Sequence, residues 1–219
     1  MKQARSPRAG RGVRITMRTQ LRIVAGSLRG RKLSCSVSPH LRPTPQRVRE
    51  ALFSILGDAI PDRPFFDVFA GTGVVGLEAL SRGASAAAFI ERDFPLLKAI
   101  QRHVAAFGLA DQTELLRTDA YHWAERWQAP DEPVNLFISP PFLDFERKLD
   151  ELLALVGALQ EKAAVGSVIV LQSEKGVDPA ELPRAEQWEQ RRYGRNELLI
   201  WVKESSSADV PEGSPAAPG

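Results

Sequence analysis

From Phe65 onward, apolar residues come in short bursts separated by Gly, Pro, Asp and Ser. Residues 65–69, 86–90, 113–117, 134–138 and 165–172 read as strands. The intervening segments carry apolar positions three and four residues apart. Over 94–107, Leu97, Ile100, Val104 and Phe107 share one helical face, and Gly108 is placed to close the helix. The same reading gives helices at 74–81, 120–127 and 145–159. Two last runs, 188–192 and 197–202, bracket Gly194 and predict an antiparallel pair. Such alternation implies an α/β fold, with a mainly parallel sheet covered by helices on both sides.

Upstream the pattern differs. Residues 21–26 and 31–37 alternate as strands and predict a small hairpin turning at 27–30. Thr44-Pro45 supplies an N-cap and a proline at the first helical position. Val48, Ala51, Leu52, Ile55 and Leu56 then repeat at helical spacing up to Gly57. Arg47, Arg49 and Glu50 fall off that stripe and are expected to face solvent or a ligand.

Charge sharpens the division. Residues 1–49 hold 13 of the 29 Lys and Arg and none of the 27 Asp and Glu, leaving a net charge of −11 on residues 50–219. A basic arm on an acidic body is an electrostatic footprint for nucleic acid. Residues 1–17 read as a basic disordered tail, rich in Arg like a transit peptide but without an apolar stripe, and translation is expected to open at Met17. Residues 18–203 form one domain, with a basic hairpin and helix at 18–60 and a catalytic core at 61–203. The Ser-, Pro-, Ala- and Gly-rich segment 204–219 is expected to be disordered. With 219 residues, 43% of them apolar and 26% charged, the chain is globular. Its apolar runs fall far short of the roughly 20 residues a membrane helix needs. Cys35 is the single cysteine, which fits a reducing, cytoplasmic setting. The spacing of His40, His103 and His122 suggests no metal site.

Gly71-Thr72-Gly73-Val74-Val75-Gly76 matches G-x-G-x-x-G between a strand and a helix. Glu91, 20 residues on and ending the next strand, suits the two hydroxyls of a ribose. Asp67 selects among nucleoside ligands. A carboxylate four residues before Gly71 would repel a pyrophosphate but favours the ammonium and sulfonium charges of S-adenosylmethionine. It could equally cap the loop by accepting from backbone N–H groups. The loop is therefore read as an S-adenosylmethionine site, with an NAD-dependent oxidoreductase as a weaker reading. Asp119 either meets the adenine amino group or is a plain helix N-cap. Ala70, Thr72, Arg92 and Ala120, together with Thr44, complete the expected cofactor site.

Ser139-Pro140-Pro141-Phe142, leaving the end of an apolar strand, is the most specific feature. Two prolines stiffen the chain and withhold two N–H donors. An exocyclic amine on a nucleobase is a poor nucleophile, because its lone pair is delocalised into the ring. Acceptors from Ser139 and the Pro140 carbonyl could hold its two hydrogens and aim the lone pair at a sulfonium methyl. Phe142 would stack on a base drawn out of its helix.

These segments resemble the RsmD-type family of bacterial small-subunit rRNA guanine-N2 methyltransferases over roughly residues 21–203. The likeness is carried by Arg22-Ile23-Val24-Ala25-Gly26, Arg29-Gly30-Arg31-Lys32-Leu33, Arg42-Pro43-Thr44 with Arg47-Val48-Arg49-Glu50-Ala51-Leu52-Phe53, and Asp67-Val68-Phe69-Ala70-Gly71-Thr72-Gly73 running on to Ala84. The resemblance implies a class I, Rossmann-like, seven-stranded fold using S-adenosylmethionine. It also implies a guanine amine in 16S rRNA or an assembling 30S particle as acceptor; the protein is separately expected to be a monomer. Arg22, Arg29, Arg31, Lys32, Arg42, Arg47 and Arg49 are expected to grip RNA phosphates. The family places Asp or Asn before the proline pair and Tyr after it, where this chain has Ser139 and Phe142. A Ser-Pro-Pro-aromatic motif also resembles DNA cytosine-N4 methyltransferases. A DNA amino-methyltransferase and a catalytically degenerate cofactor- and RNA-binding protein are thus the competing readings.

Overall fold

The computed structural model describes residues 17–37, 41–174 and 177–205. Of the expected tails at 1–17 and 204–219, residues 1–16 and 206–219 lie outside the described residues. Met17, assigned to the basic tail from sequence, is instead the first residue of a strand.

Strands β1 (Met17–Arg22) and β2 (Lys32–Val37) form the expected antiparallel hairpin, with Leu21 opposite Leu33. The first strand stops at Arg22 rather than Gly26, because the connecting loop is spent on docking. Ser81 on the core accepts from Ser27 N–H through its carbonyl at 2.7 Å and from Leu28 N–H through its hydroxyl at 2.9 Å. The same hydroxyl donates to the Ala25 carbonyl at 2.6 Å. Gly26, at φ +82°, lies so close that a Cβ would fall 1.7 Å from the Ser81 carbonyl oxygen.

Helix α1 (Gln46–Leu56) buries Val48, Leu52, Phe53 and Leu56. Two expectations fail here. Thr44 is not the cap; Pro45 occupies that position and the Thr44 hydroxyl donates elsewhere, to Gln172 at 2.8 Å. Arg49 does not face solvent. It precedes Phe53 by one turn, shares its face, and is 1% exposed. Its Nε donates to Glu78, itself fully buried, at 3.1 Å, and its two terminal nitrogens donate to the Thr44 and Arg22 carbonyls at 3.0 and 2.8 Å. Burying a cation is tolerable only when it is paired and hydrogen-bonded, and Arg49 is both. Arg82 completes a triad, pairing with Glu78 at 2.9 Å while its guanidinium lies over the Phe53 ring.

The core sheet contains β3 (Phe65–Val68), β4 (Ala87–Ile90), β5 (Thr113–Leu116), β6 (Asn135–Ile138), β7 (Val168–Ser173), β8 (Glu189–Tyr193) and β9 (Asn196–Val202). Their order is β5-β4-β3-β6-β7-β9-β8. The first five run parallel, while β9 is antiparallel to both β7 and β8. From β3 the chain builds outward through β4 to β5 and then crosses back to β6 on the other side of β3, so the strand order reverses at β3. In open α/β sheets ligands bind outside the carboxyl ends of the strands at such a switch point.

Helices α2 (Val74–Ser81), α3 (Phe94–Phe107), α4 (Ala120–Arg126), α5 (Asp144–Arg147) and α6 (Leu149–Lys162) connect the strands. One apolar layer joins the hairpin, α1, α2 and α3 to one sheet face; the other packs α4 and α6 on the opposite face. Every residue of α2 is buried. The helix expected at 145–159 is split at Lys148, whose backbone leaves helical geometry. The short α5 is turned toward Tyr121, whose hydroxyl donates to Asp144 at 2.7 Å.

Removing Arg49 would leave Glu78 in the core with only the Arg82 contact. Arg49→Met is expected to cost about 3–5 kcal/mol in chemical denaturation. A loss below about 1 kcal/mol would show that the pair contributes no net stability.

Candidate active site

The strand ends at the switch point carry nearly all of the chemically distinctive residues. After β3 the chain turns sharply through Phe69, which holds a left-handed φ of +66° despite its bulk. A non-glycine residue in that region costs of order 1–3 kcal/mol and is held only by its surroundings. Here Ala70 N–H donates to the Ile90 carbonyl at 3.0 Å and Gly73 N–H to the Ala70 carbonyl at 2.7 Å. Gly73 is also left-handed, and a Cβ there would meet Ile100 at 2.7 Å. At Gly76 the reason for glycine is packing: a Cβ would lie 2.5 Å from the Phe89 ring.

Two carboxylates brace this loop. Asp67 is 1% exposed, and its Oδ2 accepts from Gly76 N–H at 2.9 Å, so it caps the first turn of α2 through a backbone donor. Burial, with a smaller contribution from the neighbouring Glu91 charge, pushes its pKa up to about 7 against the lowering effect of that hydrogen bond. Glu91 uses both oxygens, accepting from Gly71 N–H at 2.8 Å and from Asp93 N–H at 2.7 Å. Burial raises its pKa and those two hydrogen bonds oppose the rise. Asp119 takes the N-cap of α4, accepting from Tyr121 N–H at 3.0 Å. Its second oxygen pairs with the exposed Arg92 at 3.4 Å. Ala120, the first residue of α4, is buried behind it.

Ser139 N–H donates to the Val68 carbonyl at 3.2 Å, which extends the β3–β6 pairing by one residue and sets the proline corner beside the glycine loop. The corner then turns with the Pro141 carbonyl accepting from Asp144 N–H at 2.8 Å. That turn uses the Pro141 oxygen and not that of Pro140. Pro140 is buried, Ser139, Pro141 and Phe142 are half-buried, and Leu143 is exposed.

Residues 41–45 run over this rim as a strap. The Leu41 side chain lies 3.0 Å from where a Gly71 Cβ would sit, Arg42 pairs with Glu174 at 3.4 Å, and Thr44 reaches Gln172 at the end of β7. Thr44 therefore stands at the proline-corner side of the rim. Gln172 also accepts from the Ser139 hydroxyl at 3.5 Å. Sequence reasoning missed Gln172, although a polar residue inside the apolar run Val168–Ser173 was a usable signal. It also missed Leu41 and the Tyr121–Asp144 bond, which no local pattern announces. Of the basic residues assigned to RNA, Arg22, Arg29, Arg31, Lys32, Arg42 and Arg47 are exposed, and Arg49 is excluded by its burial.

A seven-stranded sheet with β9 inserted antiparallel, a glycine loop at the switch point and a proline corner on the adjoining strand define a Rossmann-like methyltransferase fold. The chain belongs to the family described as conserved hypothetical protein 95, whose pattern matches residues 21–202. This agrees with the RsmD-type resemblance read from its motifs. Ribosomal RNA small subunit methyltransferase D of Escherichia coli is 41% identical over 123 residues, covering 56% of this chain and 61% of that protein. YlbH of Bacillus subtilis is 27% identical over 186 residues, 84% of this chain and 99% of that protein. Among solved structures, yhhF of Escherichia coli superposes with a TM-score of 0.69 at 30% identity, over 86% of this chain and all of that one. The Thermus thermophilus 16S rRNA N2 G1207 methyltransferase, solved with AdoMet and guanosine, shares the fold with a TM-score of 0.65 at 20% identity, over 86% of this chain and 51% of that one.

The raised pKa of Asp67 gives a pH signature. The folded, ligand-free protein holds that proton more tightly than the unfolded chain, where the carboxyl titrates near 3.8. Its contribution to stability is thus present below about pH 4 and lost as pH rises through about 7. Asp67→Asn keeps an acceptor for Gly76 N–H without the charge. It is expected to exceed the parent in stability at pH 8 by roughly 3–4 kcal/mol, at about 1.4 kcal/mol per pKa unit, and to match it near pH 4. Equal denaturation midpoints at pH 8 would contradict a buried, costly carboxylate.

Proposed function

We propose that the protein transfers a methyl group from S-adenosylmethionine to the exocyclic N2 amine of a guanine in small-subunit rRNA. The observation that carries this reading is the juxtaposition of the Ser139-Pro140-Pro141-Phe142 corner with the glycine loop, through the Ser139–Val68 hydrogen bond. The similarity to small-subunit methyltransferase D of Escherichia coli supports rRNA as the substrate class.

The residues fit the donor. Gly71 and Gly73, both at positive φ, give the loop the tight turn that brings its backbone to the strand ends, and Glu91 and Asp119 retain lone pairs for hydroxyl and amino groups. Asp67, ionised, complements a cation. The bound donor supplies a methyl carbon made electrophilic by its positive sulfur. The chain's part is to hold the amine: the Ser139 hydroxyl and Pro140 carbonyl accept its two hydrogens, Phe142 stacks on the base, and the nitrogen lone pair is left facing the donor. Arg29, Arg31, Lys32 and Arg47 on the hairpin and α1 offer exposed cations to phosphates.

Three measurements test this. Purified protein given RNA, duplex DNA and small-subunit particles in parallel is expected to methylate guanine in the RNA-containing substrates alone. Transfer to DNA would favour the amino-methyltransferase reading of the proline corner, and no transfer anywhere would favour a binding protein. Donor affinity is expected to strengthen from pH 6 to pH 8 as Asp67 ionises; a flat calorimetric profile would remove Asp67 from donor recognition. Arg29→Glu and Arg47→Glu should each weaken RNA binding and flatten its salt dependence by about one unit of slope, with donor affinity unchanged.

A further inference from the structure

Gln172 is 6% exposed, and its side-chain carbonyl lies between two hydroxyls. Thr44 Oγ1 donates to it at 2.8 Å and Ser139 Oγ at 3.5 Å. Its amide nitrogen donates to Asn196 Oδ1 at 2.9 Å, on the antiparallel neighbour β9. In this arrangement Asn196 holds the NH2 group, and the carbonyl oxygen faces the strap and the proline corner.

A serine hydroxyl is ambivalent, having one proton to donate and two lone pairs. Facing an amine, it assists only as an acceptor; a hydroxyl that aims its own proton at the nitrogen lone pair would block the nucleophile. The Gln172 carbonyl, 3.5 Å away, works against the ambivalence by accepting a hydrogen bond from that proton. Thr44 donates to the same oxygen and ties the strap to it.

We infer that Gln172 is a positioning residue that commits the Ser139 proton and so makes Ser139 an obligate acceptor for the substrate amine. This rests on the amine-methylation reading above. It accounts for an uncharged residue at 139: the acceptor polarity that a carboxylate has by ionisation is here imposed by an amide on the neighbouring strand. No covalent step involves Gln172.

A double-mutant cycle on the full chain tests it, with kcat and KM for RNA, donor affinity by calorimetry and thermal stability read in parallel. Gln172→Leu is expected to lower kcat at least tenfold while donor affinity stays within about twofold. In a Ser139→Ala background, which has no proton to place, the same substitution is expected to change kcat less than twofold. Gln172→Glu, which restores an acceptor, should recover most of the loss at pH 8 and covers the case in which the leucine variant does not fold. An unchanged kcat in Gln172→Leu, equal losses in both backgrounds, or failure of the glutamate to rescue would overturn the inference while leaving the methylation reading intact. Absence of methyl transfer by the unmodified protein would overturn both.

Discussion

The Arg49–Glu78 ion pair inside the apolar layer is the constraint on which the rest of the molecule depends. Glu78 sits on a helix with no exposed residue, so its charge must be met from within the protein. Arg49 meets it from α1 and, through its other nitrogens, holds the carbonyls of Arg22 and Thr44. One guanidinium thereby fixes the end of the hairpin, the first turn of α1 and the end of the strap against the core. Together with the Ser81 hydrogen bonds and the apolar contacts of Ile23 and Leu33, it makes the basic arm part of the rim that presents the proline corner.

The same rim concentrates groups that are unfavourable in isolation: a left-handed phenylalanine at Phe69, a buried carboxyl at Asp67 and a second carboxylate at Glu91 tied to two backbone donors. The two carboxyls accept from the backbone N–H groups of Gly71, Gly76 and Asp93, so loop shape and local charge are set together. This is the arrangement expected where a cationic ligand compensates buried negative charge on binding.

Much of the fold was legible because its strands and helices follow clean periodicities. Residues 94–107 and 74–81 emerge with the bounds their apolar spacing predicts, since Gly108 and Gly73 punctuate them. The glycine loop, Glu91 and the proline corner were readable because they lie at strand ends, where sequence order and spatial position coincide. Arg49 was misread because periodicity cannot distinguish a solvated cation from one whose partner lies 29 residues away. Thr44 was assigned to the cap for the same reason: the local donor was in view and the β7 acceptor was not. Gln172 was passed over as strand filler, its chemistry depending on neighbours from three separate segments.

The close approach of Gly26 to Ser81 has a consequence for reading related chains. A stretch dense in arginine and glycine beside a hairpin looks like a signature of polynucleotide affinity. Here the absence of a side chain at 26 is dictated by the terminus of an interior helix, and the arginines that follow are carried outward on a loop whose course that helix sets. A homologue sharing this string of letters would announce first that its amino-terminal module is seated on the domain, and only secondarily what the module grasps.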